Sequence, residues 1–314
     1  MISEPRQATV SVVIPFYNAA STLAATIASA TAQADVDLDV VAVDDGSTDN
    51  SLAVARSFGP TIRVFSGPNR GVSAARNRGI AETRGEWIIF LDADDVLLPG
   101  TVRMRLDAAE ATAADVVICD WQDVVDQDGR AVAGKAKSVD IAALTADAEL
   151  ACARHIWATT AALMYRRSLV KRIGGFRNDL PVIQDARFLF DAAFNGARFA
   201  RSPHIGAQYR VLPESLSRRD PLRFWRDVFT NAKQIEALWR TRGMLSVAQR
   251  AALAEIYDHT ARVLFASGQP DYFEAVECQR KQGRRLTLHP GIAAPLARTL
   301  GLNRARRVFK LLGR

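Results

Sequence analysis

Short apolar runs alternate with helix-like segments over the first 120 residues of the chain. The apolar runs have the length and the flanking turn residues of buried strands, and they cover residues 10–14, 38–43, 62–65, 87–91 and 116–119. The segments between them have helical spacing, which predicts helices over residues 19–33, 49–58, 72–84 and 99–113. Because strand and helix alternate, we predict an α/β fold with a Rossmann-like, mostly parallel sheet and helices on both faces.

The pattern loosens after about residue 120. Residues 126–129 read D-Q-D-G, which is typical of a hairpin turn. The shorter elements that follow are strands over residues 161–165 and 207–211 and helices over residues 168–173 and 184–195. From residue 221 the spacing is helical, so we predict one domain over residues 1–220 and a helical C-terminal region over residues 221–314.

Composition narrows the class of protein. Of the 314 residues, 48% are hydrophobic and 24% charged, as in ordinary globular proteins. The cysteines Cys119, Cys152 and Cys278 lie far apart and match no zinc or redox spacing. The chain has no apolar run of about 18 residues and no apolar stretch of the signal-peptide kind at its start. We therefore expect a cytoplasmic protein or one held at the inner face of the plasma membrane.

Positive charge is concentrated in the last part of the chain. The net charge is +7, but residues 280–314 contain ten Lys or Arg and no Asp or Glu, which leaves −3 for the remainder. This distribution does not indicate a general nucleic-acid surface, and we predict no nucleic-acid partner. From residue 286 onward basic and apolar residues interleave. That pattern is typical either of an amphipathic helix on an anionic membrane surface or of a helix packed on its domain with solvated arginines.

Two clusters of carboxylates follow predicted strands. Asp44 and Asp45 come after the second strand, and Asp92, Asp94 and Asp95 come after the fourth. Open parallel sheets bind ligands beyond the carboxyl ends of their strands, and crowded acids there need a cation or several hydrogen-bond donors. In an extended segment residues two apart point the same way, so Asp92 and Asp94 can converge on one ligand. Oxygen ligands next to phosphates suit Mg²⁺ or Mn²⁺; the alternative is three acids in a solvated turn.

Six motifs, in order along the chain, carry a resemblance to a known family. They are V-S-V-V-I-P-F-Y-N-A, V-D-D-G-S-T-D, G-V-S-A-A-R-N-R-G-I, F-L-D-A-D-D, G-G-F and Y-R-V-L-P-E-S-L-S. This series resembles the family 2 glycosyltransferases with the GT-A fold, over about residues 10–217. The resemblance implies inverting transfer of a sugar from a nucleotide-diphosphate donor, which we expect to be UDP-linked, to a hydroxyl of a glycan or lipid-linked acceptor. It further implies Mn²⁺ or Mg²⁺ as cofactor and bacterial surface polysaccharide synthesis as the setting.

The resemblance also divides the first domain and assigns contacts to the nucleotide. It implies a nucleotide-sugar half over about residues 1–120 and an acceptor half over about residues 121–220. One of Asp44 and Asp45 would accept the N–H of a uracil ring, while the other caps the next helix. Arg76 would stack on or bond to the pyrimidine, or else form an ion pair with the acidic clusters. The turn that would hold the base against an aromatic ring consists of Pro15, Phe16, Tyr17 and Asn18.

The metal and the diphosphate are assigned in the same way. The segment 92–95 looks like the D-x-D motif that holds a divalent ion against a diphosphate, with Asp92, Asp94 and Asp95 as candidate ligands. Asp92 is also a candidate contact of the nucleotide. Many relatives have a His two residues after the position of Arg210, where this chain has Leu212. That departure shifts the predicted diphosphate contact to Arg210.

Inversion at the anomeric carbon also needs a base for the acceptor hydroxyl. The family has Glu-Asp at the start of a helix where this chain has Gln184-Asp185, so Asp185 is the predicted base, with a simple helix cap as the alternative. Gln184 cannot ionise and would contact the acceptor as a neutral group. By the same analogy Trp157, Thr159 and Gly175 would border the acceptor pocket, although core packing explains Trp157 about as well.

Two other classes of protein compete with this interpretation. A nucleotidyltransferase would also gather acids on such a sheet, but it should have a Gly-rich, basic phosphate loop after the first strand, where this chain has P-F-Y-N. A non-catalytic protein that binds a sugar nucleotide or a lipid surface would need the same pocket or the basic tail, and absence of turnover would distinguish it.

Overall fold

The computed structural model describes residues 9–127, 130–154, 156–212, 215–283 and 292–311. The chain divides into two compact units, Met1–Cys152 with Ile156–Leu212, and Ala153–His155 with Pro213–Arg314. The predicted boundary at residue 220 stays a prediction, and it coincides with the start of a long helix in the second unit.

Within the described residues, a sheet of nine strands forms the centre of the first unit. In chain order the strands are β1 (Thr9–Phe16), β2 (Asp37–Asp44), β3 (Arg63–Ser66), β4 (Trp87–Phe90), β5 (Val96–Leu97), β6 (Val116–Gln127), β7 (Arg130–Lys137), β8 (Leu163–Arg166) and β9 (Phe199–Arg210). Their spatial order is β3-β2-β1-β4-β8-β6-β9-β5, and β7 pairs with β6 outside this path.

The four strands β3, β2, β1 and β4 are parallel neighbours, and β6 and β9 are also parallel. β8 is antiparallel to both of its neighbours and joins the two parallel parts. All four residues of β4 are buried, and so is β1 after its first residue. Such continuous burial requires cover on both faces of the sheet, which confirms the predicted α/β class with helices around the sheet.

The helices of this part of the chain are α1 (Leu23–Thr31), α2 (Ser51–Arg56), α3 (Val72–Glu82), α4 (Thr101–Thr112), α5 (Ile141–Ala146), α6 (Ala148–Arg154), α7 (Arg167–Ile173) and α8 (Gln184–Phe194). The prediction placed the start of α1 too early. The backbone N–H of Ala19 donates to Ser51 Oγ at 2.8 Å, and the N–H of Thr48 donates to Asn18 Oδ1 at 2.8 Å. These bonds hold residues 18–19 against the loop before α2, so the helix begins only at Leu23.

Strands β6 and β9 extend well beyond their predicted cores at residues 116–119 and 207–211. The predicted residues 116–119 of β6 pair with the additional residues 199–202 of β9, and the additional residues 121–124 of β6 pair with residues 207–210 of β9. Strand β6 also pairs with β7 in an antiparallel arrangement. Residues 128–129, on which part of the predicted turn falls, lie outside the described residues. The hydrogen bonds of these strands are made by the backbone, so their polar side chains gave no apolar run from which to predict them.

The second unit is helical where it is described. Its helices are α9 (Leu216–Arg219), α10 (Pro221–Thr241), α11 (Val247–Ala266), α12 (Tyr272–Lys281), α13 (Ala294–Leu300) and α14 (Leu302–Leu311). Asp220 caps α10 by accepting the backbone N–H of Arg223 at 2.9 Å, and proline at the first helical position suits this start.

The basic tail forms two helices, α13 and α14, which are separated by Gly301 at φ +79°. The rest of the predicted amphipathic segment, at residues 286–291 and 312–314, lies outside the described residues. In α14 the ring of Phe309 is buried against Phe265 of α11, with centroids 5.4 Å apart. None of the described helices combines the length and the apolar character that crossing a bilayer requires.

Candidate active site

The candidate site lies at the carboxyl ends of adjacent parallel strands. Phe16 at the end of β1 is the register partner of Asp44 at the end of β2. On the other side of β1, the backbone N–H of Leu91 donates to the carbonyl of Val13 at 2.9 Å, and this leads β4 into the segment 92–95. The fold therefore brings both acidic clusters to one edge of the sheet, where open α/β sheets bind ligands.

The turn after β1 offers one exposed ring. Tyr17 is 50% exposed, whereas Phe16 is 3% exposed and belongs to the hydrophobic core, next to buried Pro15. The aromatic surface proposed for a base therefore belongs to Tyr17, and the ring of Phe16 is not available for it. Asn18 has φ +49°, and its side-chain oxygen accepts the N–H of Thr48, so it holds the turn in place.

Both acids after β2 are buried and bonded to loops. Asp45 accepts the backbone N–H groups of Arg70 and Gly71 at 2.8 and 2.9 Å, which fixes the loop before α3. Asp44 accepts the N–H of Ser47 at 2.9 Å and the hydroxyl of Ser66 at 2.7 Å. These donors offset the two crowded charges. Contact of either acid with a base stays a prediction.

Arg76 of α3 lies between the acidic cluster and the aromatic core. Its guanidinium is 2% exposed, pairs with Asp92 and lies 5.0 Å from the ring centroid of Phe176. The structure thus contains the ion pair that the sequence left open as an alternative. Among the described residues, Nε and Nη1 of Arg76 have no hydrogen-bond partner. A buried guanidinium with unused donors can receive an anionic or carbonyl oxygen of a ligand.

The charge of Asp94 is only partly compensated by the protein. Burial, together with the neighbouring charge of Asp92, raises its pKa to about 6, although Arg210 and Arg76 act in the opposite direction. A nearby cation would stabilise the ionised form, so Asp94 fits the role of a metal ligand. No group of three His, Cys, Asp or Glu side chains able to hold a metal ion occurs in the described part of the chain. A divalent ion would therefore be held by Asp94 and Asp92 together with phosphate and water oxygens.

Asp95 differs from its neighbours, and the structure argues against its predicted role as a metal ligand. It is fully buried, and its two carboxylate oxygens accept the hydroxyl of Thr159 at 2.9 Å and the backbone N–H of Arg210 at 3.0 Å. Burial, followed by the charges of Asp94 and Asp92, raises its pKa well above the usual value. Asp95 thus joins three chain segments. The segment 92–95 is a turn, in which the backbone N–H of Asp95 donates to the carbonyl of Asp92 at 3.0 Å, and not the extended segment that the sequence analysis assumed.

The same hydrogen bond also changes the interpretation of Thr159. Its hydroxyl, predicted to border the acceptor, is buried and donates to Asp95. Two residues later the carbonyl of Ala161 accepts from Nη1 of Arg105 at 2.9 Å, and this arginine is fully buried on α4. The segment that follows Trp157 is therefore held by two hydrogen bonds, one to Asp95 and one from Arg105. The sequence analysis did not predict that Arg105 supports the site.

Asp185, the predicted base, lies in the first turn of α8. One carboxylate oxygen accepts the N–H of Ala186 at 2.8 Å, and the other accepts the indole N–H of Trp157 at 3.2 Å. Burial raises the pKa of Asp185, while the charge of Arg76 and these two hydrogen bonds lower it. The preceding Gln184 is buried, and its Oε1 has no hydrogen-bond partner among the described residues. The N-cap position of α8 is Ile183, so Asp185 lies inside the first turn and is not the simple helix cap that the sequence left as an alternative. Its role as the base stays a prediction.

A tight turn holds the segment between α7 and α8. Gly174 and Gly175 have φ +84° and +98°, and a Cβ on Gly175 would come within 2.5 Å of Asn77 Oδ1. The Asn77 side chain accepts the N–H of Phe176 at 2.7 Å and donates to its carbonyl at 2.9 Å. Gly175 is therefore required by this close approach, and its predicted contact with an acceptor stays a prediction. Neither Asn77 nor the ring of Phe176 was predicted to shape the site.

Comparison with known proteins identifies the family. A family profile described as glycosyl transferase family 2 matches residues 11–174. The succinoglycan biosynthesis protein ExoO of Rhizobium meliloti is 33% identical over 218 residues, which are 67% of this chain and 62% of that protein. A cholesterol galactosyltransferase of Borreliella burgdorferi is 38% identical over 111 residues, 34% of this chain and 31% of that protein. The chain thus matches less than two thirds of the length of these relatives.

Solved structures share the fold at low sequence identity. TarS 1–349 of S. aureus in complex with UDP-GlcNAc has a TM-score of 0.61 and 19% identity, covering 87% of this chain and 89% of that one. The mannosyltransferase PcManGT of Pyrobaculum calidifontis, in complex with GDP-Man and Mn²⁺, has a TM-score of 0.58 and 18% identity, covering 96% and 83%. This likeness confirms the predicted GT-A fold.

Proposed function

Because the chain belongs to glycosyl transferase family 2, we propose that it transfers a sugar from a nucleotide-diphosphate donor, with inversion, to a hydroxyl of a glycan or lipid-linked acceptor. The observation that carries this proposal is the shared environment of Asp94, Asp185, Arg76 and Arg210. The charges of Arg76 and Arg210 act on Asp94, and the charges of Arg76 and Asp92 act on Asp185. Candidate metal ligand, base and cations therefore lie within electrostatic reach of one another.

The proposed reaction uses these residues in separate roles. Asp185 takes the proton of the acceptor hydroxyl, whose oxygen then forms a bond to the anomeric carbon as the bond from that carbon to the diphosphate breaks. Burial strengthens this base because it raises its proton affinity. The guanidinium of Arg210 acts electrostatically on Asp94, so it is the cation that we assign to the departing diphosphate. A divalent ion on Asp94 and Asp92 would supply further offset of the charge on the leaving group.

We propose UDP as the nucleotide and surface polysaccharide synthesis as the setting. The support is a relative named for succinoglycan biosynthesis and a structural neighbour that holds UDP-GlcNAc, whereas another neighbour holds GDP-Man. The test is release of nucleoside diphosphate from a panel of UDP- and GDP-sugars with Mn²⁺, with and without glycan and lipid-linked acceptors. Acceptor-dependent UDP release, lost in Asp185→Asn, supports the proposal. Binding of UDP with no turnover on any acceptor would instead indicate a non-catalytic sugar-nucleotide binding protein.

We further propose that the basic tail holds the protein at an anionic membrane surface. On α13 and α14 the cationic residues Arg298, Arg304, Arg307 and Lys310 are exposed, together with Leu300 and Leu311. The burial of Phe309 against α11 favours the alternative of a packed helix for one side of α14, so the outward side is the one that would meet lipid. Sedimentation with anionic vesicles, compared between the intact chain and a chain ending at Gly283, tests this. Unchanged sedimentation of the shortened chain would refute it.

A further inference from the structure

The base candidate is bound by a side chain that the sequence had placed at the acceptor. The indole Nε1–H of Trp157 donates to Asp185 Oδ2 at 3.2 Å. Trp157 is 39% exposed, so one part of the ring faces solvent while its N–H points to the carboxylate. An indole N–H can donate but never accept, so it favours the ionised carboxylate over the protonated one.

Aromatic neighbours restrict the orientation of this indole. The ring of Trp157 makes edge contacts with Trp121, at 6.0 Å between centroids and 83°, and with Tyr209, at 5.6 Å and 79°. T-shaped pairs of this kind are favourable arrangements of aromatic rings. Two residues after Trp157, the bond between Thr159 and Asp95 anchors the backbone of the same segment. The direction of the indole N–H is therefore set by packing as well as by its bond to the acid.

We propose that Trp157 is the positioning residue of the base, and that its indole N–H holds Asp185 in one orientation as an ionised carboxylate. This inference rests on the proposed function, because it assigns Trp157 to the base rather than to the acceptor sugar. The second oxygen of Asp185 is held by the N–H of Ala186. With both oxygens held, the carboxylate presents its remaining lone pairs in a fixed direction, which is what proton transfer to a positioned group requires.

Other charged and titratable groups face Asp185 from the surrounding elements. Arg76 on α3 stabilises the ionised form, and Asp92 after β4 destabilises it. The phenol of Tyr165 on β8 is buried, and the charge of Asp185 contributes to raising its pKa. The hydrogen bond from Trp157 is thus one of several interactions that act on the pKa of Asp185. Its contribution is measured by removing that bond alone.

The test is Trp157→Phe, with Trp121→Phe as the matched control. Trp121 is a buried tryptophan of the same aromatic cluster, and its Nε1 has no hydrogen-bond partner among the described residues. Both variants lose an indole N–H and part of a ring, but only Trp157→Phe removes a bond to Asp185. We expect the acidic limb of the pH profile of kcat/KM to move to higher pH by about one unit in Trp157→Phe, because a lost hydrogen bond raises the pKa of the base. We expect Trp121→Phe to leave the limb in place, because phenylalanine keeps an aromatic ring against Trp157 and the indole of Trp157 still donates to Asp185.

A second readout does not depend on turnover. The carboxyl carbon of Asp185, assigned by its disappearance in Asp185→Asn, is titrated by ¹³C NMR in the unaltered protein and in both tryptophan variants. An upward shift of its pKa in Trp157→Phe alone supports the inference even if no acceptor is found. An unchanged titration, or a raised KM for the acceptor with an unchanged limb, would overturn it and assign Trp157 to sugar stacking. Failure of the unaltered protein to transfer any sugar would count against the proposed function but not against this contact.

Discussion

The role of Asp95 can be tested by two substitutions that affect its hydrogen bonds differently. The carboxylate joins the segment 92–95 to Thr159 and to the backbone of Arg210. Asp95→Asn retains an oxygen for the N–H of Arg210, and the hydroxyl of Thr159 can rotate to accept from the new amide. Asp95→Ala leaves both donors without an acceptor. If Asp95 stabilises the fold by joining these segments, Asp95→Asn should be about as stable as the unaltered protein, and Asp95→Ala should be less stable.

The expected loss in Asp95→Ala follows from the burial of its two partners. A buried donor left without an acceptor costs about 1–3 kcal/mol, and the hydroxyl of Thr159 is almost fully buried whereas the N–H of Arg210 is partly buried. We therefore expect the free energy of unfolding to fall by about 2–4 kcal/mol in Asp95→Ala. In Asp95→Asn we expect a change of less than about 1 kcal/mol near pH 5.

The pKa of Asp95 determines the direction in which pH changes the stability of the protein. The folded-state pKa of Asp95 lies well above its unfolded value, so the folded protein disfavours the ionised carboxylate. Stability is therefore lost as pH rises from the unfolded pKa through the folded one. Asp95→Asn removes the ionisation, so its stability relative to the unaltered protein should improve between pH 5 and pH 8. No such trend is expected for a residue that is exposed in the free protein.

Urea unfolding at pH 5 and pH 8 measures these differences as shifts of the midpoint at unchanged slope. Binding of Mn²⁺ in the presence of UDP provides the second measurement. Asp95→Asn should retain this binding, whereas Asp94→Asn should weaken it by at least about tenfold. The reasoning is refuted if Asp95→Asn destabilises the protein as strongly as Asp95→Ala, or if it loses Mn²⁺ as Asp94→Asn does.

Three further predictions concern the base, the turn and the metal ligand. Asp185→Asn should reduce sugar transfer by at least about 100-fold with UDP affinity unchanged, as measured by product formation and calorimetry; near-normal transfer would contradict the base assignment. Gly175→Ala should lower the free energy of unfolding by more than about 2 kcal/mol because its Cβ would clash with Asn77, whereas Gly174→Ala, which meets nothing within 4 Å, should cost about 1 kcal/mol for its φ angle alone. Thermal unfolding compares the two glycine variants, and equal losses would rule out the clash. Because the pKa of Asp94 is about 6, Mn²⁺ binding followed by electron paramagnetic resonance should strengthen from pH 5 to pH 7, and Asp94→Asn should lose this dependence.

The parallel part of the sheet could be predicted from sequence because its central strands β1 and β4 are buried on both faces. The four apolar residues of β4 stand between turn residues, and the acids after it mark the point where the strand ends. The parts of β6 and β9 beyond residues 116–119 and 207–211 gave no such signal, because their pairing depends on partners far away in the chain. The break at Gly301 could have been predicted, since glycine with positive φ commonly ends a helix.

For the site, as for the sheet, patterns among neighbouring residues could be read from the sequence, whereas contacts between distant residues could not. The D-x-D pattern predicted Asp92, Asp94 and Asp95 together as candidate metal ligands and did not separate Asp95 from the other two. The hydrogen bonds of Asp95 distinguish it. Its partners could not be predicted, because Thr159 and Arg210 lie 64 and 115 residues away in the chain. Likewise, an indole that bonds to Asp185 and an indole that stacks on a sugar have the same sequence signature. Only the placement of the ring distinguishes them.

The charges at the site affect how a nucleotide-diphosphate sugar would bind there. The carboxylates of Asp92, Asp94 and Asp185 face two guanidiniums, those of Arg76 and Arg210, so the acids are in excess when all are ionised. A diphosphate arriving alone would add negative charge to a partly buried site and raise the cost further. A divalent cation entering with the diphosphate would offset the charge that the diphosphate adds, next to the acid whose pKa is already raised to about 6. This charge balance supports the proposal that cation and nucleotide bind together, since burial and then the charge of Asp92 already raise the pKa of Asp94.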